Sequence, residues 1–431
     1  MAVDSDVVLA RVPLARPPHT VSRLFGRTPF IRAGRALPNL SFFQTPSTSG
    51  WGARPTTTAT PNISATTKVS GDQDIEVVPG PTDTVSALAF SPAADVLAMA
   101  SWDSYVRIYR IDKTSAQPVQ PWQQYQHEGP VFDVCFSGDG TKVISGGADK
   151  VARCFDLNTN QLTVVAHHND AVRCVRWIHA FGGALITGSW DKTVKAWKIE
   201  PQPTLITTLD LPERVYAMDV VGPIIIVAMA ERKIVAFQCN EANGTAQQVV
   251  DQISPLKYQT RSLAALPDGD GFALGGTEGR VAVHYFHDPP DPKDGKVKKF
   301  AFRCHRRATA DHPDVPRNET QLFPVNAIVF NSQGTFATGG GDGSVSFWCK
   351  ASRTRLKTFE TKGTPMAPKE MFKTNPNRLP VTAIAFNADA TIFAYAIGYD
   401  WHKGHQHATN EAHVFIHPVN PEDIKKRPPK T

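Results

Sequence analysis

The sequence predicts an all-β fold, a ring of seven small antiparallel sheets preceded by a disordered N-terminal arm. Two landmarks recurring in phase carry that expectation. The first is a six-residue apolar run: VSALAF from Val85, VFDVCF from Val131, VRCVRW from Val172, VYAMDV from Val215, RSLAAL from Arg261, VNAIVF from Val325 and VTAIAF from Val381. The second is an acidic residue 16 to 19 positions further on, at Asp103, Asp149, Asp191, Glu231, Glu278, Asp342 and Asp400. Period-two apolar spacing broken by Gly and Asp marks antiparallel strands joined by tight turns. In most copies a further short run ends in a ring, at Tyr109, Phe155, Trp197, Phe237, His284 and Trp348.

Residues 1–71 are rich in Pro, Ser and Thr, carry seven Arg and almost no acid, and keep no apolar period, so they read as a disordered arm. The first 40 superficially match an organellar transit peptide; a non-functional extension is the preferred reading. The run IEVV from Ile75 is expected to close the ring against the last blade. Copies then start 46, 41, 43, 46, 64 and 56 residues apart, and the first and third share Ser-Trp-Asp at 101–103 and 189–191. That period with those turns is the WD-repeat pattern, four strands to a propeller blade. Residues 72–419 are therefore expected to form one seven-bladed WD40 β-propeller, followed by a basic tail over 420–431. Each sheet alone is too small to bury its faces, and closure of the ring removes exposed edges.

His127 and His168 each stand four residues before the first valine of a copy. In WD repeats a His, a Ser or Thr, the turn Asp and a third-strand Trp share buried hydrogen bonds. His168, Asp191 and Trp197, with the turn residues Asp103, Asp149 and Asp342, are accordingly assigned to the scaffold. His402, His405, His407 and His413 are irregularly spaced and join no Cys or carboxylate in a pattern, so no metal is expected. The six cysteines form no CxxC pair and read as small buried hydrophobes of a reducing compartment. No apolar run approaches a membrane span, so no membrane insertion is expected. With no Gly-rich phosphate loop and no nucleophile–base set, neither enzymatic activity nor a cofactor is expected.

Net charge is only +6, but its distribution is uneven. Lys293, Lys296, Lys298, Lys299, Arg303, Arg306 and Arg307 crowd the insertion after the fifth copy. Lys350, Arg353, Arg355 and Lys357 follow Trp348, and Lys362, Lys369, Lys373 and Arg378 lead into the seventh copy. Cations interleaved with Phe300, Phe302 and Trp348 suit single-stranded nucleic acid, which needs charge for phosphates and rings for bases.

The motifs LKYQTR, EGRVAVHYF, FAFRCHR, RTRLKTF and AYAIGYDWHKGH, spread over several blades, resemble the WD-repeat mRNA export factor family of the nuclear pore. A paralogous spindle-checkpoint propeller shares EGRVA and FAFxCHR but lacks the RTxLKT and YDWxKGH segments. The resemblance implies a platform that binds the acidic GLEBS motif of an FG-repeat nucleoporin, with Arg280 meeting its glutamates and Lys257 and Arg261 as secondary contacts. Bidentate pairing explains an Arg there. It also implies a groove for RNA or RNA-mimicking ligands at Phe302, Trp348, Lys350, Arg353 and Arg355. Cys349 departs from the family, which commonly has Asp there. Expected partners are thus the nucleoporin, single-stranded RNA or mRNA–protein particles, and checkpoint kinases with GLEBS-like motifs. The expected location is the nucleus at the nuclear pore complex of the envelope, with some cytoplasmic protein. A spindle-checkpoint adaptor and a WD-repeat substrate receptor of a ubiquitin ligase stand as alternatives. Since a strand of five or six residues spans about 17–20 Å, Arg280 and the 350–355 run should face opposite sides of the ring.

Overall fold

Short apolar runs separated by tight polar turns can pair only up and down, and seven four-stranded antiparallel sheets result, with one two-stranded ribbon. The computed structural model describes residues 74–240, 244–287, 299–308, 319–361, 379–402, 404–409 and 411–428. The arm expected over 1–71 lies outside the described residues. Blade one runs Val85–Phe90, Val96–Ser101, Tyr105–Ile111 and Val119–Gln126. Blades two, three and four repeat the plan from Val131–Phe136, Val172–Ile178 and Val215–Val221. Blade five comprises Thr260–Ala265, Gly271–Gly276, Arg280–Tyr285 and Phe300–Arg303. Blade six comprises Val325–Phe330, Thr335–Gly340, Ser344–Cys349 and Thr354–Glu360. Blade seven has Val381–Phe386, Ile392–Gly398 and Ala412–Pro418, and takes its fourth strand, Ile75–Glu76, from the start of the propeller. Ile75 pairs with Ile416 and Glu76 with Phe415, so the ring is closed by the two ends of the chain.

The first strands pack side by side around a central channel. Each carries a register shift after its first residue, leaving one bulged residue per blade: Ser86, Phe132, Arg173, Tyr216, Arg261, Asn326 and Thr382. This repeat corrects the fifth copy by one position. Thr260, not Arg261, occupies the place of the leading valine, and a one-residue slip turns every side chain to the other face. Arg261 therefore belongs to the channel wall.

Polar side chains tie neighbouring blades together all the way round. Ser86 Oγ donates to the Val131 carbonyl at 2.6 Å, and the Val175 amide to Asp133 at 3.0 Å. Arg176 bridges Asp133 at 2.6 Å and Asp219 at 3.0 Å, and Asp219 accepts the Ala265 amide at 2.8 Å. Ser262 reaches the Val325 carbonyl at 2.8 Å, Asn326 the Val381 carbonyl at 3.0 Å, and Thr84 the Tyr399 carbonyl at 3.0 Å. Between these links the blades interlock by shape. The first valine of one blade sits against a second-strand glycine of the blade before: Val172 on Gly146, Val215 on Gly188, Val325 on Gly275 and Val381 on Gly339.

The C-terminal segment does not project as a tail. Ile424 is 1% exposed, packed into the blade six–blade seven core with Phe347, Phe386 and Phe393, and Thr335 Oγ1 donates to its carbonyl at 3.0 Å.

Candidate functional site

Three blades hold the buried polar network of the repeat. In blade three His168 Nδ1 lies 2.9 Å from Asp191, its Nε2 lies 2.7 Å from Thr187 Oγ1, and Trp197 Nε1 donates to that hydroxyl at 3.0 Å. In blade two His127 joins Asp149 at 3.0 Å and Ser145 at 2.7 Å; Phe155 holds the ring position and the Tyr125 hydroxyl, 2.8 Å from Ser145, stands in for the indole. In blade six His305 joins Asp342 at 2.9 Å and Thr338 at 2.8 Å, and Trp348 Nε1 donates to Thr338 at 3.0 Å. Asp103 has no such His among the described residues; it accepts the Thr82 amide at 3.0 Å and pairs with Arg107 at 2.8 Å.

The blade six network corrects two sequence readings. Trp348 is a core residue, packed against Phe302 at 4.4 Å between ring centroids with the planes tilted by 46° and facing blade five, rather than a ring open to a ligand. His305, read as part of a basic motif, is the histidine of blade six. Its distance of 37 residues from Asp342, against 22 and 23 in blades two and three, concealed it.

One face of the ring carries the turns that begin the third strands. There Arg280 opens the third strand of blade five and pairs directly across with Arg303. Arg306 donates to the carbonyls of Gly279 at 3.3 Å and Glu278 at 3.1 Å, which lays it beside them. Burial and then the positive charges of Arg280 and Arg303 hold the Arg306 guanidinium below its ordinary value. Among the described residues the carboxylate paired with Arg280 is the buried Glu278, 4.0 Å away and already accepting the Lys257 amide at 2.9 Å. Arg280 is 38% exposed at its side chain, and Lys257 and Arg303 are exposed. Arg261 stands apart from this cluster. It hydrogen-bonds Asn326 at 3.2 Å and the Asp400 carbonyl at 3.1 Å in the channel, because it is the bulged residue of its strand.

The opposite face carries the ends of the third strands. Arg353 is exposed in a left-handed conformation (φ 53°) and lays its guanidinium over Phe300 at 4.8 Å. Arg355 is exposed with no carboxylate partner among the described residues. Lys350 is engaged: it forms an ion pair with Asp268 and lies 5.8 Å above the Tyr285 ring, so it is not a free cation of the groove. Since Arg280 begins the strand that Tyr285 ends, the two basic sets occupy opposite ends of blade five.

Ring topology and repeated His–Asp networks define a WD-repeat propeller. Residues 319–349 match the family described as WD domain, G-beta repeat, and residues 88–180 match the anaphase-promoting complex subunit 4 WD40 domain. The solved structure of U3-55K shares the fold at a TM-score of 0.61 and 16% identity, covering 80% of this chain and 98% of that one. The chain belongs to the mRNA export factor family. It is 44% identical over 374 residues to the Poly(A)+ RNA export protein of Schizosaccharomyces pombe, covering 85% of this chain and 97% of that protein. It is 40% identical to the mRNA export factor GLE2 of Chaetomium thermophilum (85% and 96% covered) and 38% identical to the mRNA export factor of Mus musculus (88% and 98%).

Proposed function

We propose that this propeller is a non-catalytic scaffold of mRNA export at the nuclear pore, which holds the acidic GLEBS segment of an FG-repeat nucleoporin on its Arg280 face. The carrying observation is the Arg280–Arg303 register. Like charges directly opposed on neighbouring strands cost stability, and here Arg306 adds a third guanidinium with one buried carboxylate against them. An anion seated on the cluster relieves that repulsion, and a glutamate-rich segment supplies one carboxylate per arginine fork. Acidic segments of the same kind on checkpoint kinases would use the same arginines. The relatives' names in mRNA export support the role and a nuclear location.

The test is capture by an immobilised GLEBS peptide. Arg280→Glu is expected to abolish capture while leaving the melting temperature equal or slightly higher, because the substitution relieves repulsion by Arg303. Undiminished capture would remove Arg280 from the site.

The opposite face supports a second ligand, single-stranded RNA, on the strength of Arg353 over Phe300 and the unpartnered Arg355. Phe302 and Trp348 support that surface from beneath.

A further inference from the structure

The cations of the second face do not end with blade six. After the last strand the chain makes a short turn, Pro421–Asp423, capped by Asn420, which accepts the Glu422 amide at 3.1 Å. Three contacts then fasten it under blade six: buried Ile424, an ion pair between Lys357 and Asp423, and the Cys349 sulfur. That sulfur accepts the amides of Ser352 at 3.5 Å and Arg427 at 3.4 Å, and the thiol donates to the Arg427 carbonyl at 3.6 Å. One atom thus joins the turn that bears Arg353 to the segment that bears Lys426 and Arg427. The two amide nitrogens cannot be further apart than the sum of those two distances, so Arg353 and Arg427 are neighbours in space across 74 residues of sequence.

Charge sorts these cations. Asp268 engages Lys350, Asp423 engages Lys357, and Glu422 engages Lys425 at 2.9 Å. Arg353, Arg355, Lys426 and Arg427 are exposed and have no carboxylate partner among the described residues. We infer that the docked C-terminal segment supplies Lys426 and Arg427 as phosphate contacts for single-stranded RNA, completing the surface that Arg353 and Arg355 begin. The inference rests on the RNA reading above. RNA fits better than an acidic peptide because half-buried Phe300 and Tyr285 lie among these cations and offer faces on which bases stack. A segment already fastened loses little further chain entropy when it binds, so its charges act as part of the rigid surface.

The experiment measures binding of a fluorescent oligouridylate to the full chain across a salt series. Two double variants are compared with the unaltered protein, Lys426→Ala/Arg427→Ala and Arg353→Ala/Arg355→Ala. All four side chains are exposed, so neither variant disturbs the core. Each pair is expected to weaken binding about tenfold near 0.1 M salt and to flatten the slope of log K against log salt by about 1.4, two contacts at ~0.7 each. If the blade pair behaves so while the tail pair binds like the unaltered protein, the C-terminal contribution is overturned and the RNA reading stands. If the unaltered protein does not bind oligouridylate, both fall, and polyglutamate capture that drops in the two double variants then assigns this surface to an acidic protein.

Discussion

Thr260 shows what one residue can conceal. Its hydroxyl is 1% exposed as a residue, buried without a hydrogen-bond partner among the described residues, in the place that valine fills in the other six blades. An unpaired buried hydroxyl costs about 1–3 kcal/mol, so Thr260→Val should stabilise the propeller by about 1 kcal/mol or more in chemical denaturation. A loss of stability would show that the hydroxyl is satisfied. Nothing local marked this position. Arg261 begins an apolar run as Val does elsewhere, and only the bulge repeated round the ring shows which residue is which. His168 was legible, because its distance from the following valine and from Asp191 is fixed by a hairpin of standard length. His305 was not, because an insertion separates it from its blade. The blade three network also predicts a pH response. Burial holds the His168 imidazole below 6.5, overcoming the opposing pull of Asp191. The folded protein therefore takes up that proton less readily than the unfolded chain. The stability His168 contributes is complete above the unfolded value and is lost as pH falls below it. Asp191, raised by burial but lowered further by Thr193, the Asn169 amide and His168, sits below 3.8, so its contribution persists to lower pH and is lost only as the carboxylate protonates. His168→Gln should flatten the fall of melting temperature between about pH 7 and pH 5; an unchanged slope would mean that the imidazole is not held neutral.

Strands were legible as elements because their period of two is written into each apolar run, and turns because Asp and Gly stand where the third strand begins. The contact between elements was half-legible. The leading valines are visible in sequence, but the surface each one meets is a glycine in the previous blade, some 25 to 50 residues upstream. Gly339 illustrates the fit, since a Cβ there would lie 2.6 Å from Val381 Cγ1. Gly339→Val would force blades six and seven apart and is expected to cost about 1–3 kcal/mol or more, read as a lower denaturation midpoint. Shortening the partner in the double variant with Val381→Ala should recover part of the loss, which a purely local strand effect would not. The C-terminal segment was misread for a related reason. Its composition, three lysines and an arginine among prolines, describes a solvated tail, whereas a single isoleucine fitted into the core fixes its course.

At the scale of the whole molecule, the two basic faces follow from strand length. Arg280 and Tyr285 are the ends of one six-residue strand, about 17 Å apart at ~3.3 Å per residue. That span exceeds the Debye length of about 10 Å at 0.1 M salt, so charge on one face is largely screened from the other. Mechanical coupling would need an element with two arrangements that both ligands bias. The path between the faces is instead a closed sheet ring with a polar link at every blade boundary, from Ser86 to Val131 round to Thr84 and Tyr399. Acidic peptide and RNA should therefore bind independently. Saturating GLEBS peptide is expected to leave the oligouridylate Kd within about twofold, well short of the fivefold or more that a coupling of ~1 kcal/mol produces. Arg280→Glu should likewise leave RNA affinity unchanged, and Arg353→Ala/Arg355→Ala should leave peptide capture unchanged. A larger shift in either direction would mean that the ligands share a face, or that the ring deforms between them. Combining Arg280→Glu with Arg353→Ala/Arg355→Ala separates these outcomes: on independent faces the combined variant loses no more RNA affinity than Arg353→Ala/Arg355→Ala and no more peptide capture than Arg280→Glu, and a further loss in either assay places the ligands on one face.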